Sequence, residues 1–251
     1  MPRPELALIH GSPGDAQVWK GVVPALDGRF RPHLPELPGQ GAQPPLPGDG
    51  PGTVDDRAAR IEAQLAGIDG PLAVAGHSFG AYVALVVAMR RRLEVSHLVL
   101  FEPAVVPILR EIGEHDLASR SEAHFTDYIA NHESGNPDAV SAMIDYWFGD
   151  GAFRAMPERA KDYLRDNTAA DVLDVRAALD YRLPRAELAA VTTPTLVVCG
   201  GASPAVNHML CRAAADLVAD GQYDVLDGGT HAMLATHPEQ VAAIIAGFAL
   251  D

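Results

Sequence analysis

Residues 76–80 read Gly76-His77-Ser78-Phe79-Gly80. They follow an apolar run, LAVAG, and precede another, AYVALVVAM. A serine held on a sharp strand-to-helix turn stands clear of a sheet, and the helix N-terminus beneath it favours developing negative charge. A turn that tight leaves little room for a Cβ two positions before or after the serine, and glycine occupies both. The spacing therefore suits a nucleophilic hydroxyl. Such a hydroxyl needs a base, a group to orient that base, and donors for an oxyanion. The ten histidines and the acids of the chain supply the candidates.

The elements that must position these groups alternate. Buried-strand patterns fall at Leu6–Ile9, 72–76, 96–101, 195–199 and 223–226, with an extended, proline-containing stretch at 30–37. Helical patterns fall at 16–26 (with Asp15 as a cap), 53–68, 79–92, 205–219 and 238–249. Residues 38–52 are rich in Pro and Gly and read as loop. Between 104 and 190 the alternation stops, and only helical stretches follow one another. Short apolar strands alternating with helices predict an α/β protein, a mostly parallel sheet covered on both faces. Residues 1–103 and 191–251 form its core, and 104–190 an α-helical cap inserted into it.

Ligands of such sheets sit at the carboxyl ends of the strands. Those ends carry His10-Gly11-Ser12, then Ser78, Glu102, Gly200–Ser203, and Asp227-Gly228-Gly229-Thr230-His231. A serine, a carboxylate and a histidine converge on one edge. His231 follows a strand end on a Gly-Gly loop, whereas His208 sits in a helix and His237 precedes the proline of a helix start. His77 is next to the serine and reads as positional.

Taken together, HGSPG at 10–14, LPGQG at 37–41, GHSFG at 76–80, the helical insertion, PTLVVCGG at 194–201 and GGTHAM at 228–233 resemble the α/β-hydrolase fold, in its lidded esterase, lactonase and C–C hydrolase branch. The resemblance spans nearly the whole chain. It implies Ser78 as nucleophile, His231 as base, and the backbone N–H groups of Ser12 and Phe79 as the oxyanion hole. Two departures follow. The family's usual acid lies just after the strand read at 195–199, but Gly200–Leu210 holds no Asp or Glu, and Ser203 stands about where it is expected. Some branches place the acid one strand earlier, where Glu102 lies. Asp227 is the alternative, and an acid-free dyad a third. The family also opens with an antiparallel hairpin, for which five residues before the first strand leave no room, so about six parallel strands are expected.

The insertion is rich in aromatic residues and methionine. Most pack, and Met143, Trp147 and Phe148 are candidates to line the pocket; His10, at the oxyanion loop, is a candidate either to orient that loop or to line the pocket. No ordered cluster of Lys or Arg suggests a phosphate clamp. The expected substrate is a small or medium, largely apolar ester, thioester, lactone or C–C bond. A lyase on the same residues and a ligand-binding protein with an idle site are the alternatives. No metal or organic cofactor is implied.

The net charge of −14 argues against nucleic acid or an anionic membrane as partner. No apolar run is long enough to span a bilayer, and the chain opens directly into strand pattern without a signal-type apolar region, so a cytoplasmic location is expected. Cys199 and Cys211 match no metal spacing and read as core thiols. Nothing in the sequence speaks to oligomeric state.

Overall fold

The computed structural model describes residues 3–48 and 50–250. Its sheet has six strands: β1 (Glu5–Ile9), β2 (Arg31–His33), β3 (Leu72–His77), β4 (Val95–Phe101), β5 (Thr195–Gly200) and β6 (Gly221–Leu226). They lie in the order β2-β1-β3-β4-β5-β6, and every neighbouring pair is parallel. The sheet is thus the α/β arrangement that the alternation predicts.

Strand period divides the core in two. Ala7, Ile9, Val74, Leu98, Leu100, Val197 and Cys199 face one side. There they meet α1 (Val54–Leu65), α2 (Phe79–Arg90) and α6 (Ala205–Leu217). Leu6, Leu8, Ala75, Val99, Phe101 and Val198 face the other, against Trp19 and α7 (Pro238–Ala249). Helix α1 starts on a capping box: Thr53 accepts from the Asp56 N–H, and Asp56 accepts from the Thr53 N–H. Helix α2 is buried on every side from Phe79 to Ala88, which explains its unbroken apolar sequence. Arg90 ends it with ion pairs to Asp55 and Glu62 of α1.

Between β4 and β5 the chain forms α3 (His115–Glu133), α4 (Val140–Phe148) and α5 (Glu158–Asp180), joined by shorter helical turns, with no strand among the described residues. Phe125, Tyr128, Val140, Met143, Ile144 and Trp147 belong to the same apolar cluster as α2. The insertion therefore packs as a continuation of one face of the sheet.

Local differences from the sequence reading have simple causes. The pattern at 16–26 breaks into a 3-10 turn, Ala16–Trp19, and a single helical turn, Val22–Ala25, because Pro24 cannot continue a longer helix. Only Arg31–His33 of the 30–37 stretch pairs, as the edge strand that its prolines permit. Both cysteines are buried and free. Among the described residues no helix is long and apolar enough to cross a membrane.

Candidate active site

Parallel register aligns the strand ends. Ile9 and Leu100 flank Gly76, Phe101 flanks His77, and Val198 flanks Phe101. Ser78 and Glu102 consequently leave adjacent strands side by side. Both are non-glycine residues at positive φ, +55° and +44°. Such backbone persists only where the surroundings over-determine it, and it gathers at functional sites. At Ser78 the surroundings are explicit. Its N–H donates to the Phe101 carbonyl, and its carbonyl accepts from Ala81, Tyr82 and Ala104. A Cβ on Gly80 would stand 2.0 Å from the His10 carbonyl oxygen, and one on Gly76 would stand 2.6 Å from Ala81 Cα. The two glycines thus let the elbow close against β1 and against itself.

The loop after β6 brings His231 over this edge. Its Nε2 lies 3.0 Å from Ser78 Oγ, and its Nδ1 lies 2.6 Å from Glu102 Oε2. All three side chains are buried. The geometry fixes the tautomer: Nδ1–H donates to the carboxylate, leaving Nε2 to accept from the serine hydroxyl. The imidazole is held from other directions too. Trp147 stacks on it at 5.6 Å, Phe148 meets it edge-on at 4.9 Å, and His77 Nε2 donates to its backbone carbonyl at 2.9 Å.

Glu102 has a full set of donors. Oε1 accepts from the Gly200 N–H at 2.7 Å and the Ser203 hydroxyl at 2.5 Å, and Oε2 accepts from Asn207 Nδ2 at 2.6 Å. Burial raises its pKa, but the hydrogen bond and charge of His231, aided by Ser203 and Gly200, outweigh that and hold the carboxyl at about 2. Ser203, where a family acid is expected, thus becomes a donor to the acid one strand away. Asp227 is exposed and makes no hydrogen bond to His231. His208 is bonded to Tyr223, and His237 to Thr236. His77 is pushed down to about 3 by burial and by the neighbouring His231, so it stays neutral.

The oxyanion loop is braced by buried polar groups. His10 Nδ1 donates to the Gly11 carbonyl, and its Nε2 accepts from the Leu37 N–H. His10 therefore supports the loop and lines neither cavity beside Ser78, contrary to its candidacy for the pocket. Gln40, from the LPGQG loop, accepts from the Gly14 N–H and donates to Ser12 Oγ. It also donates to Asp174 of α5, which Arg57 pairs from α1 at 2.5 Å. The Ser12 N–H makes no hydrogen bond among the described residues, and the Phe79 N–H is one of the orphan donors at the start of α2.

Two cavities meet at Ser78. One runs beneath the insertion along Phe79, Val106, Phe125 and Leu179 to Asp171. The other carries His231, Phe148, Met156 and Leu164. Ser12, Ser78, Met143 and Trp147 line both. Met143 and Trp147 stand between the chambers, and Phe148 belongs to the second.

Sequence reasoning missed Asn207, Asp171, Asp174, Arg57 and Gln40. Asp171 had a visible signal: it falls on the buried stripe of α5 that runs through Leu164, Thr168 and Val172, where a charge is out of place. Asn207 had none, being one polar residue in an amphipathic helix. Among the described residues no group of His, Cys, Asp and Glu is arranged to hold a metal ion.

This fold and strand-end geometry define a class, the α/β-hydrolases. Residues 6–244 match the alpha/beta hydrolase family, and the chain belongs to it. It is 30% identical to the lipase LipV of Mycobacterium tuberculosis over 94% of this chain and 90% of the relative. It is 27% identical to a pimeloyl-[acyl-carrier protein] methyl ester esterase of Aromatoleum aromaticum, covering 98% of each. Among solved structures, a thermophilic esterase from Thermogutta terrifontis superposes with a TM-score of 0.74 at 24% identity, over 98% of this chain and 89% of the other. The chain is an enzyme of hydrolase type.

Proposed function

We propose that this hydrolase cleaves small or medium, largely apolar carboxylic esters, and the related thioesters and lactones, through an acyl-enzyme on Ser78. The observation that carries the reading is the buried chain Ser78 Oγ, His231, Glu102, with contacts of 3.0 and 2.6 Å. His231 Nε2 takes the Ser78 proton as Oγ attacks the acyl carbon. The Ser12 and Phe79 N–H groups receive the oxyanion, each such donor being worth about 3 kcal/mol in the transition state. Glu102 keeps the imidazole in the correct tautomer and stabilises the imidazolium. The proton then passes from Nε2 to the leaving alcohol, and water repeats the sequence to release the acid.

His231 also assigns the chambers. A leaving group must be within reach of Nε2, so it occupies the cavity that His231 lines. The acyl chain then lies in the other, between Phe79, Val106 and Phe125. Apolar walls with few polar groups suit an acyl chain.

Turnover of 4-nitrophenyl butyrate tests the reading. The wild-type protein should release nitrophenol, and Ser78→Ala should lose the activity while keeping its circular dichroism spectrum. Undiminished turnover by Ser78→Ala would contradict the assignment.

A further inference from the structure

The acyl chamber contains a charge that the hydrolytic chemistry does not use. Asp171 and Asp174 are three residues apart on α5 and share one face, as the helical period requires. Both line the chamber that Ser78 opens into, and both are about 1% exposed. Asp174 is compensated by Arg57 and Gln40. Asp171 has no cation beside it among the described residues. Its donor is the Tyr128 hydroxyl, at 2.7 Å. With Asp171 ionised, one guanidinium faces two carboxylates and the cluster is a positive charge short; without a partner the fold holds Asp171 protonated instead. An ionised carboxylate in such a place is costly unless a partner arrives.

The walls around it supply no competing cation. Phe125 and Trp147, which line the same chamber, stack on each other at 5.9 Å. An anionic chain end would meet Asp171 and Asp174 with no free Arg or Lys lining the cavity.

We propose that Asp171 is a specificity-determining residue that selects acyl groups ending in an ammonium group, bound at its carboxylate. This rests on the ester-hydrolase reading for the direction in which substrate lies. The recognition itself is a property of the cavity.

Matched 4-nitrophenyl esters test it: ω-aminoacyl esters of four to seven chain atoms against alkanoyl esters of equal length. At its best length the wild-type protein should prefer the ammonium ester by at least about tenfold in kcat/KM, because an alkyl end leaves the buried carboxyl unpaired. Asp171→Asn should remove or reverse that preference, with the effect mostly in KM. The wild-type comparison needs no variant to fold.

A parallel titration uses Ser78→Ala with n-hexylammonium and with 1-hexanol. The ammonium should bind at least about tenfold more tightly, and the gap should vanish in Ser78→Ala/Asp171→Asn. Preference for the alkyl ester at every length, or hexanol binding as tightly as hexylammonium, would overturn the proposal, as would ratios that Asp171→Asn leaves unchanged. Hexylammonium binding without turnover of any ester would overturn the hydrolase reading and leave the cation subsite standing.

Discussion

Four nitrogen and oxygen donors and the Cys199 thiol converge on the Glu102 carboxylate, and they suit it to the orienting role proposed for it although it leaves its strand one position earlier in the sheet than the family norm. Glu102→Gln places an amide against Nδ1 and permits the wrong tautomer. We expect kcat to fall by about 10³ to 10⁴, as for other triad acid-to-amide changes. Asp227→Asn, at an exposed position, should change it less than about threefold, within the range of surface substitutions. Steady-state turnover of 4-nitrophenyl butyrate measures both, and equal losses would count against Glu102. The serine and histidine of this set were legible because their loops have sequence signatures, a glycine-spaced elbow and a Gly-Gly turn. Asn207 was not, since its role depends on α6 crossing beneath Glu102, a tertiary fact with no local pattern. For a related reason the sequence could not choose between loop support and pocket lining for His10. It stands beside the oxyanion loop in sequence, but its ring turns inward to the Leu37 N–H.

At the scale of elements, β3, the elbow and α2 form a unit whose closeness to β1 requires glycine. A methyl group at position 80 would have to displace the His10 carbonyl, 2.0 Å away. Gly80→Ala should therefore cost at least about 1–3 kcal/mol, the usual range for overpacking. It should lower activity as well, because the displaced strand end carries the oxyanion loop. Urea denaturation and turnover of the same ester check the two effects, and an unchanged midpoint would argue that the turn is looser than described. The end of β5 offers a complementary test. Ser203 already donates to the Glu102 carboxylate at 2.5 Å, so the two positions point at one place. Glu102→Gln/Ser203→Asp should recover at least about tenfold of the activity lost in Glu102→Gln, since triads are defined by geometry and not by sequence position. No recovery, in a folded double variant, would show that an acid after β5 cannot reach Nδ1 here. Strand and helix positions were legible from period and turn residues. The short pieces near Trp19 and β2 were not, because proline and an edge position override a weak periodic signal.

At the scale of the whole molecule, the two faces of the sheet and the insertion bury ionisable groups whose protonation feeds into stability. His77 is held at about 3, below its usual 6.5, by burial and by His231. Its neutral form is the one the fold accepts, so its contribution is lost as pH falls from about 6.5 towards 3. Asp171 is pushed up to about 7, from an ordinary 3.8, by burial and by Asp174. The fold accepts its protonated form, so stability is full below about 3.8 and declines as pH rises towards 7. Each proton is worth at most about 1.4 kcal/mol per pH unit in its window. Asp171→Asn, neutral at every pH, should gain on the wild-type protein steadily between pH 4.5 and 7.5 in urea denaturation, whereas a constant difference would mean that Asp171 does not titrate in that range. The outline of the molecule, six parallel strands with a helical insertion, could be read from the alternation of patterns. How the insertion closes two chambers over one serine could not, since that depends on which face of α5 meets α2. The central claim, that this edge activates Ser78 as a nucleophile, is tested most directly by labelling the intact protein with a fluorophosphonate and locating the adduct by peptide mass spectrometry. The account predicts one adduct, on Ser78, lost in His231→Ala and slowed in Glu102→Gln; an unlabelled Ser78 in the folded wild-type protein, or undiminished labelling in His231→Ala, would contradict it.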